Sequence, residues 1–234
     1  MFARGFEEYC QVRMKLFFAT SKRKDGGLDR ARFFKKLKIN PKQVVRAGLV
    51  HGARVAKVEK VPASGVIPST DALVTNRKNI VLAISTADCF PVFFYMPDGT
   101  SVGIAHAGWR SVVKGVVPRT VKALQRYYKI DLQNLHVVIG PGIRKCHFEI
   151  KNDILKKFEP LTHVTITKKA QLYVDLPGII HEQLVASGVK PKNIKDVKEC
   201  TYHLKQKYFS YRRDRSATHP RGFGFMMSVV GING

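Results

Sequence analysis

Residues 86–110 read TADCFPVFFYMPDGTSVGIAHAGWR. Two apolar runs of strand length, Val92–Tyr95 and Val102–Ala105, flank the stretch Met96-Pro97-Asp98-Gly99-Thr100, which has the Pro, Asp and Gly of a tight turn. Strand, turn, strand is a hairpin. Its closure brings Cys89, where the chain turns into the first strand, next to His106, which closes the second. The pattern therefore predicts both a sheet-rich core and a Cys–His pair at the ends of its strands.

Working outward, further strand-length runs rich in Val, Ile and Phe fall at Val12–Ala19, Val44–Val50, Val55–Val58, Ile80–Ser85, His136–Ile139, Val164–Thr167 and Phe223–Val230. Helical spacing interrupts them. Leu28–Leu37 puts Phe33, Phe34 and Leu37 on one side, and Val121, Leu124 and Tyr128 share a face of a helix with Pro118 in its first turn. A third helix is expected over Leu176–Ala186, stopped by Gly188. With no low-complexity linker and no internal repeat, the expectation is one mixed α/β or α+β domain over residues 1–234 with a large sheet component.

The chain of 234 residues, 44% of them hydrophobic, can bury a sizeable core, which excludes disorder. The start, MFARGFEEYC, has no apolar signal core, and nowhere do 18 apolar residues run together, so neither secretion nor a membrane span is expected. Four scattered cysteines make no disulfide framework, and a cytoplasmic protein is the simplest reading. The formal charge of +24 concentrates anions near the surface. Its basic clusters, such as Lys22-Arg23-Lys24 and Lys168-Lys169, lack interleaved aromatics, so no specific nucleic-acid partner is expected.

A third residue, His51, also lies at a strand end, in Val50-His51-Gly52. A cysteine thiolate and two neutral imidazoles are zinc ligands, and three protein ligands leave a fourth position open. Residue types alone leave two other readings in place: a buried free Cys beside a hydrogen-bonded His, and a metal-free Cys–His nucleophile pair.

Val50-His51-Gly52, Asp71–Thr75, Thr86–Cys89, Ala105–Arg110, Ile139–Ile143 and Tyr211–Asp214 occur in the order seen in the laccase-domain, or YfiH-like, family, which this chain resembles from about residue 12 onward. The resemblance implies a compact α/β sandwich with zinc held by His51, Cys89 and His106. It aligns Arg30 with a phosphate-side arginine of the family, and it implies phosphorolysis of adenosine, inosine, guanosine and methylthioadenosine, with adenosine deamination beside it. Purine nucleoside and phosphate are then the partners; the oligomeric state is open, and a monomer is compatible with the sequence. The family's usual Gln before Val-His-Gly is Leu49 here, the N-terminal block is shortened, and His147 follows Cys146 where a Cys or aromatic residue is usual.

On that reading Arg30 and one of Arg212 or Arg213 hold phosphate, the two neighbours facing opposite ways along a strand. Asp88 orients a ligand or relays a proton. Cys146-His147 has no third partner in view and is expected in the pocket wall, while Cys200 is expected in the core. His136, His163, His181, His203 and His219 are expected to be isolated, each a surface or hydrogen-bonded histidine rather than a ligand. The His-x-His pairs of a trinuclear copper cluster and the His-x-Glu/Pro-Cys-x-x-Cys deaminase signature are both missing. Two readings of other classes compete: a cysteine hydrolase of a peptide or peptidoglycan precursor with Cys89 as nucleophile and His106 as base, and a basic nucleic-acid-binding protein.

Overall fold

Phe90–Tyr95 pairs antiparallel with Val102–Ala107, Phe90 opposite Ala107 and Tyr95 opposite Val102. The connection is an Asx turn: Asp98 Oδ1 accepts from the Thr100 N–H at 3.0 Å and from the Thr100 hydroxyl at 2.8 Å, and Gly99 takes the left-handed φ of 78°. The computed structural model describes residues 10–13, 16–25, 30–158, 166–168, 171–215 and 224–233.

In chain order the strands are β1 (Cys10–Arg13), β2 (Leu16–Thr20), β3 (Val44–Ala47), β4 (Val55–Lys57), β5 (Val66–Ile67), β6 (Ala72–Thr75), β7 (Val81–Thr86), β8 (Phe90–Tyr95), β9 (Val102–Ala107), β10 (His136–Ile139), β11 (Glu149–Ile150), β12 (Ile166–Lys168), β13 (Gln171–Tyr173), β14 (Ile194–Asp196) and β15 (Met226–Ile232). The helices are α1 (Arg30–Lys36), α2 (Trp109–Val113), α3 (Val116–Tyr128), α4 (Asn152–Leu155), α5 (Leu176–Ala186) and α6 (Tyr211–Asp214). The first sheet has the order β1-β2-β15-β7-β3-β5 and the second β14-β10-β8-β9-β6-β4, both with parallel and antiparallel neighbours; β11-β13-β12 forms a small third sheet.

Alternation along the strands sorts the side chains into layers. Leu82 and Ile84 of β7 pack against Phe93, Val102 and Ile104 of β8 and β9 between the two large sheets. The intervening Val81 and Ala83 pack with Phe33 and Phe34 of α1 on the outside of the first sheet. On the outside of the second sheet, Val92, Phe94, Ala105 and Ala107 meet Val121 and Leu124 of α3 and Ile180 and Leu184 of α5. The result is a helix–sheet–sheet–helix sandwich. Each fully buried Leu, Ile or Phe in it contributes about 1.5–3 kcal/mol.

Two expectations change. The single strand expected over Val12–Ala19 is two antiparallel strands, Cys10 opposite Ala19 and Arg13 opposite Leu16. Arg212 and Arg213 lie on the one-turn helix α6, not on a strand, because the Ser210 hydroxyl accepts from the Arg213 N–H at 3.2 Å and caps it. Among the described residues no helix is long and apolar enough to cross a membrane.

Candidate metal centre

At the ends of the central strands the two sheets part, and a cleft opens. Along β9, Val102 and Ile104 point between the sheets, and His106 follows in the same alternation at the strand's end. Cys89 precedes β8 directly across the hairpin, and the loop after β3 delivers His51. One ligand atom from each of His51, Cys89 and His106 lies within 4.8 Å of the others. The two imidazole rings are 4.9 Å apart, centre to centre. His106 is buried, Cys89 half-buried and His51 exposed, so the cluster opens to solvent on one side.

Gly108, which starts α2, makes the approach possible. A Cβ there would stand 2.6 Å from Cys89 Sγ and 3.3 Å from His51 Nδ1, too near for any larger residue. The cradle thus holds three donor atoms only because the fourth wall has no side chain.

Asp71, at the start of β6 and wholly buried, organises both histidines. Its Oδ1 lies 3.2 Å from His106 Nδ1, which leaves Nε2 for the cleft. Its Oδ2 accepts from the Gly52 N–H at 2.8 Å and the Val50 N–H at 3.4 Å, clasping the chain on either side of His51. That loop needs the clasp, because His51 sits at φ 53°, in the left-handed region. Burial opposes the Asp71 charge, yet the hydrogen bonds from His106 and Gly52 hold its carboxyl below the ordinary range.

Cys89 and His106 polarise each other. Burial disfavours a Cys89 thiolate, but the imidazoles of His106 and His51 outweigh it and bring the thiol down to about 6. Burial likewise disfavours a charged His106, but the thiolate and the Asp71 carboxylate raise it to about 9. A site that favours a thiolate beside two imidazoles offers a cation an anionic sulfur and two nitrogen donors, the metal taking the place of protons.

The cleft has a volume of about 460 Å³. Trp109, Phe148, Tyr211 and Phe225 supply flat apolar wall, and Arg110 and Arg212 supply charge. Arg110 lies over the Trp109 ring at 4.3 Å and Arg212 lies 5.9 Å from the centre of Phe148. Leu49, where the family's Gln is usual, lines the cleft as well.

The remaining expected site residues fall in different places. Arg30 is not in this cleft. It lines a separate one with Arg46, Lys42 and Val44 near the first residues of β3, and Val44 pairs with Val81 at the start of β7, whereas the donor cluster lies past that strand's far end. Burial and the Arg46 cation lower its pKa, as expected of two crowded guanidiniums. Arg213 is not available to phosphate either. It donates to the carbonyls of Thr201, Tyr202 and Tyr208 at 2.6–2.7 Å and pairs with Asp214, so it serves as a staple between chain segments. Asp88 lines the cleft, but its carboxylate receives the Thr201 hydroxyl at 2.6 Å, the Ser210 hydroxyl at 3.0 Å and the Arg212 N–H at 2.7 Å. None of these partners is in the donor cluster, so Asp88 anchors α6 and, with it, Arg212. His163 and His219 lie outside the described residues.

Asp71 and Arg110 are the participants that residue-type reasoning passed over. Both stand inside the motif blocks that carried the resemblance, and a buried acid one strand from a ligand histidine is the signal that could have found Asp71.

The chain matches the family model described as multi-copper polyphenol oxidoreductase laccase over residues 22–233. It is 31% identical over 195 residues to the purine nucleoside phosphorylase YlmD of Geobacillus stearothermophilus, covering 78% of this chain and 69% of that protein. It is 34% identical over 174 residues to a purine nucleoside phosphorylase of Xylella fastidiosa, covering 71% and 65%, so the match spans about two thirds of these relatives' length. Among solved structures, the hypothetical protein YfiH of Bacillus licheniformis superposes with a TM-score of 0.83 at 26% identity, over 93% of each chain. YlmD of Geobacillus stearothermophilus gives 0.84 at 24% identity over 97% of this chain and 100% of the other, a likeness of fold. Fold, motif order and match over nearly the whole length agree: this chain belongs to the multi-copper polyphenol oxidoreductase laccase family.

Proposed function

We propose that the chain is a zinc-dependent purine nucleoside phosphorylase working at the cleft of His51, Cys89 and His106. The observation that carries this reading is one juxtaposition: a soft three-donor cluster at one side of a cleft of about 460 Å³, with two guanidiniums and aromatic walls around it. Relatives named purine nucleoside phosphorylase support it.

One thiolate and two imidazoles suit zinc, and the three donor atoms lie within 4.8 Å of one another. Zinc so held would supply Lewis-acid polarisation at its open position. The residues of the chain do the rest. His51 and His106, engaged as ligands, are not free bases, and Asp71 keeps both in place. Arg212 and Arg110 hold phosphate by charge-assisted hydrogen bonds. Trp109, Phe148, Tyr211 and Phe225 flank a flat purine and exclude water around it. A phosphate oxygen then bonds to the ribose anomeric carbon as the bond to the purine nitrogen breaks, and the released base takes up a proton. Adenosine, inosine, guanosine and methylthioadenosine share the bonds this requires. Adenosine deamination uses water in place of phosphate and releases inosine and ammonia.

With zinc-loaded protein, free base and ribose-1-phosphate should appear only when phosphate is supplied. Arg212→Ala should lower kcat/KM for phosphorolysis by about 2–4 kcal/mol, roughly thirtyfold to a thousandfold, and affect deamination far less. Failure to turn over any purine nucleoside with phosphate present would sink the reading. The line Asp71–His106–Cys89 favours one competitor, the metal-free cysteine hydrolase. Chelation separates the two, since it abolishes phosphorolysis and leaves a metal-free hydrolase active.

A further inference from the structure

The sequence pair Cys146-His147 gains a third partner in the fold. The chain leaving β10 makes a turn in which the His147 and Phe148 N–H groups donate to the Arg144 carbonyl at 2.9 and 2.8 Å, presenting Cys146 and His147 together. Cys200 arrives from the far side of the sequence through an isolated parallel bridge with Gly142, where the Thr201 N–H donates to the Gly142 carbonyl at 3.1 Å. His147 Nδ1 then lies 3.1 Å from Cys146 Sγ and 3.7 Å from Cys200 Sγ. The three donor atoms all lie within 4.8 Å of one another.

We propose that Cys146, His147 and Cys200 form a second metal site, for zinc or a similarly soft divalent cation, independent of the nucleoside cleft and of what that cleft does. Tetrahedral zinc with bonds of about 2.3 Å to sulfur and about 2.0–2.1 Å to nitrogen sets its N and S donors about 3.6 Å apart. The two N···S separations bracket that value. The donor set is two sulfurs and one imidazole with no carboxylate, a combination that selects soft or borderline ions over magnesium or calcium.

The surroundings prepare the ligands. His147 is stacked on Tyr202, ring centres 4.3 Å apart and planes 24° apart, which fixes its direction. The exposed His203, its ring centre 5.9 Å from that of His147, stands at hand for the fourth position.

The consequence is mechanical. Ile143 and Phe148, on the same loop, line the nucleoside cleft, and Arg144 is fixed to Asp196 by two bonds of 2.8 and 2.6 Å. A cation here ties this loop to the segment whose Thr201 holds Asp88. It is a clip on the cleft wall.

The test is cobalt titration of the reduced, metal-stripped protein, following thiolate-to-cobalt charge transfer. Cys146→Ser removes a donor at an exposed position with a side chain of similar size. The unsubstituted protein should bind about one equivalent more than Cys146→Ser, and Cys89→Ala should retain about one equivalent with thiolate character. The difference between the first two proteins reports this site alone, so a failed first site lowers both counts and leaves the difference unchanged. Equal stoichiometry in both, or a Cys146–Cys200 disulfide in protein purified under reducing conditions, would overturn the proposal.

Discussion

Asp71 reaches both histidines of the candidate metal centre. Each oxygen serves a different ligand: Oδ1 orients the His106 ring, and Oδ2 holds the backbone around His51. An Asn cannot reproduce this, because its amide NH₂ confronts the Gly52 and Val50 N–H donors in one orientation and the His106 Nδ1–H in the other. Asp71→Asn should therefore weaken zinc binding by about 10–100-fold while all three ligands remain. Chelator competition measures it, and unchanged affinity in the variant would remove Asp71 from this role. For His51 the conservative probe is Asn rather than Ala, since φ 53° penalises Ala and tolerates Asn.

At the scale of elements, the one-turn helix α6 is too short to hold itself and depends on Asp88. Asp88→Ala strands the Thr201 and Ser210 hydroxyls and the Arg212 N–H, and sets an Ala at φ 86°. The expected cost is about 2–4 kcal/mol, a fall in melting temperature of roughly 4–16 °C. Melting within about a degree of the unsubstituted protein would show that α6 is held by other means. These dependences also mark what the residues alone could convey. The hairpin, the outward alternation of β8 and β9 and the Cys89–His106 meeting follow from local pattern, because a tight turn fixes register. Arg30 could be aligned only by its order in the chain, and order does not say which end of β3 it reaches. Cys200 meets Cys146 and His147 through a bridge between distant segments, which no local periodicity records. Four residues such as Tyr211–Asp214 carry no measurable period at all, so a capped turn reads as a strand.

Across the whole molecule the charge of +24 is not spent at the cleft. Arg54, Lys114, Arg119, Lys122 and Arg126 line a separate open groove along α3, with Tyr127 as its aromatic member. Lys114 also donates to the His51 carbonyl at 3.1 Å, so the groove runs up to the back of the metal loop. Cations set along one groove attract any polyanion, but a single aromatic side chain gives no platform for reading successive bases. Binding of DNA or RNA should thus be electrostatic and indifferent to sequence. If five groove cations each neutralise a phosphate, the logarithmic salt slope is about −4.5, and affinity falls roughly 500-fold between about 50 and 200 mM salt. Lys122→Ala and Arg126→Ala should each reduce that slope by about 0.9. Measured by fluorescence anisotropy with two unrelated duplexes, the curves should coincide. Slopes untouched by both substitutions would mean that the groove is not the polyanion surface, and sequence-selective binding that survives physiological salt would mean that the charge serves a dedicated nucleic-acid function.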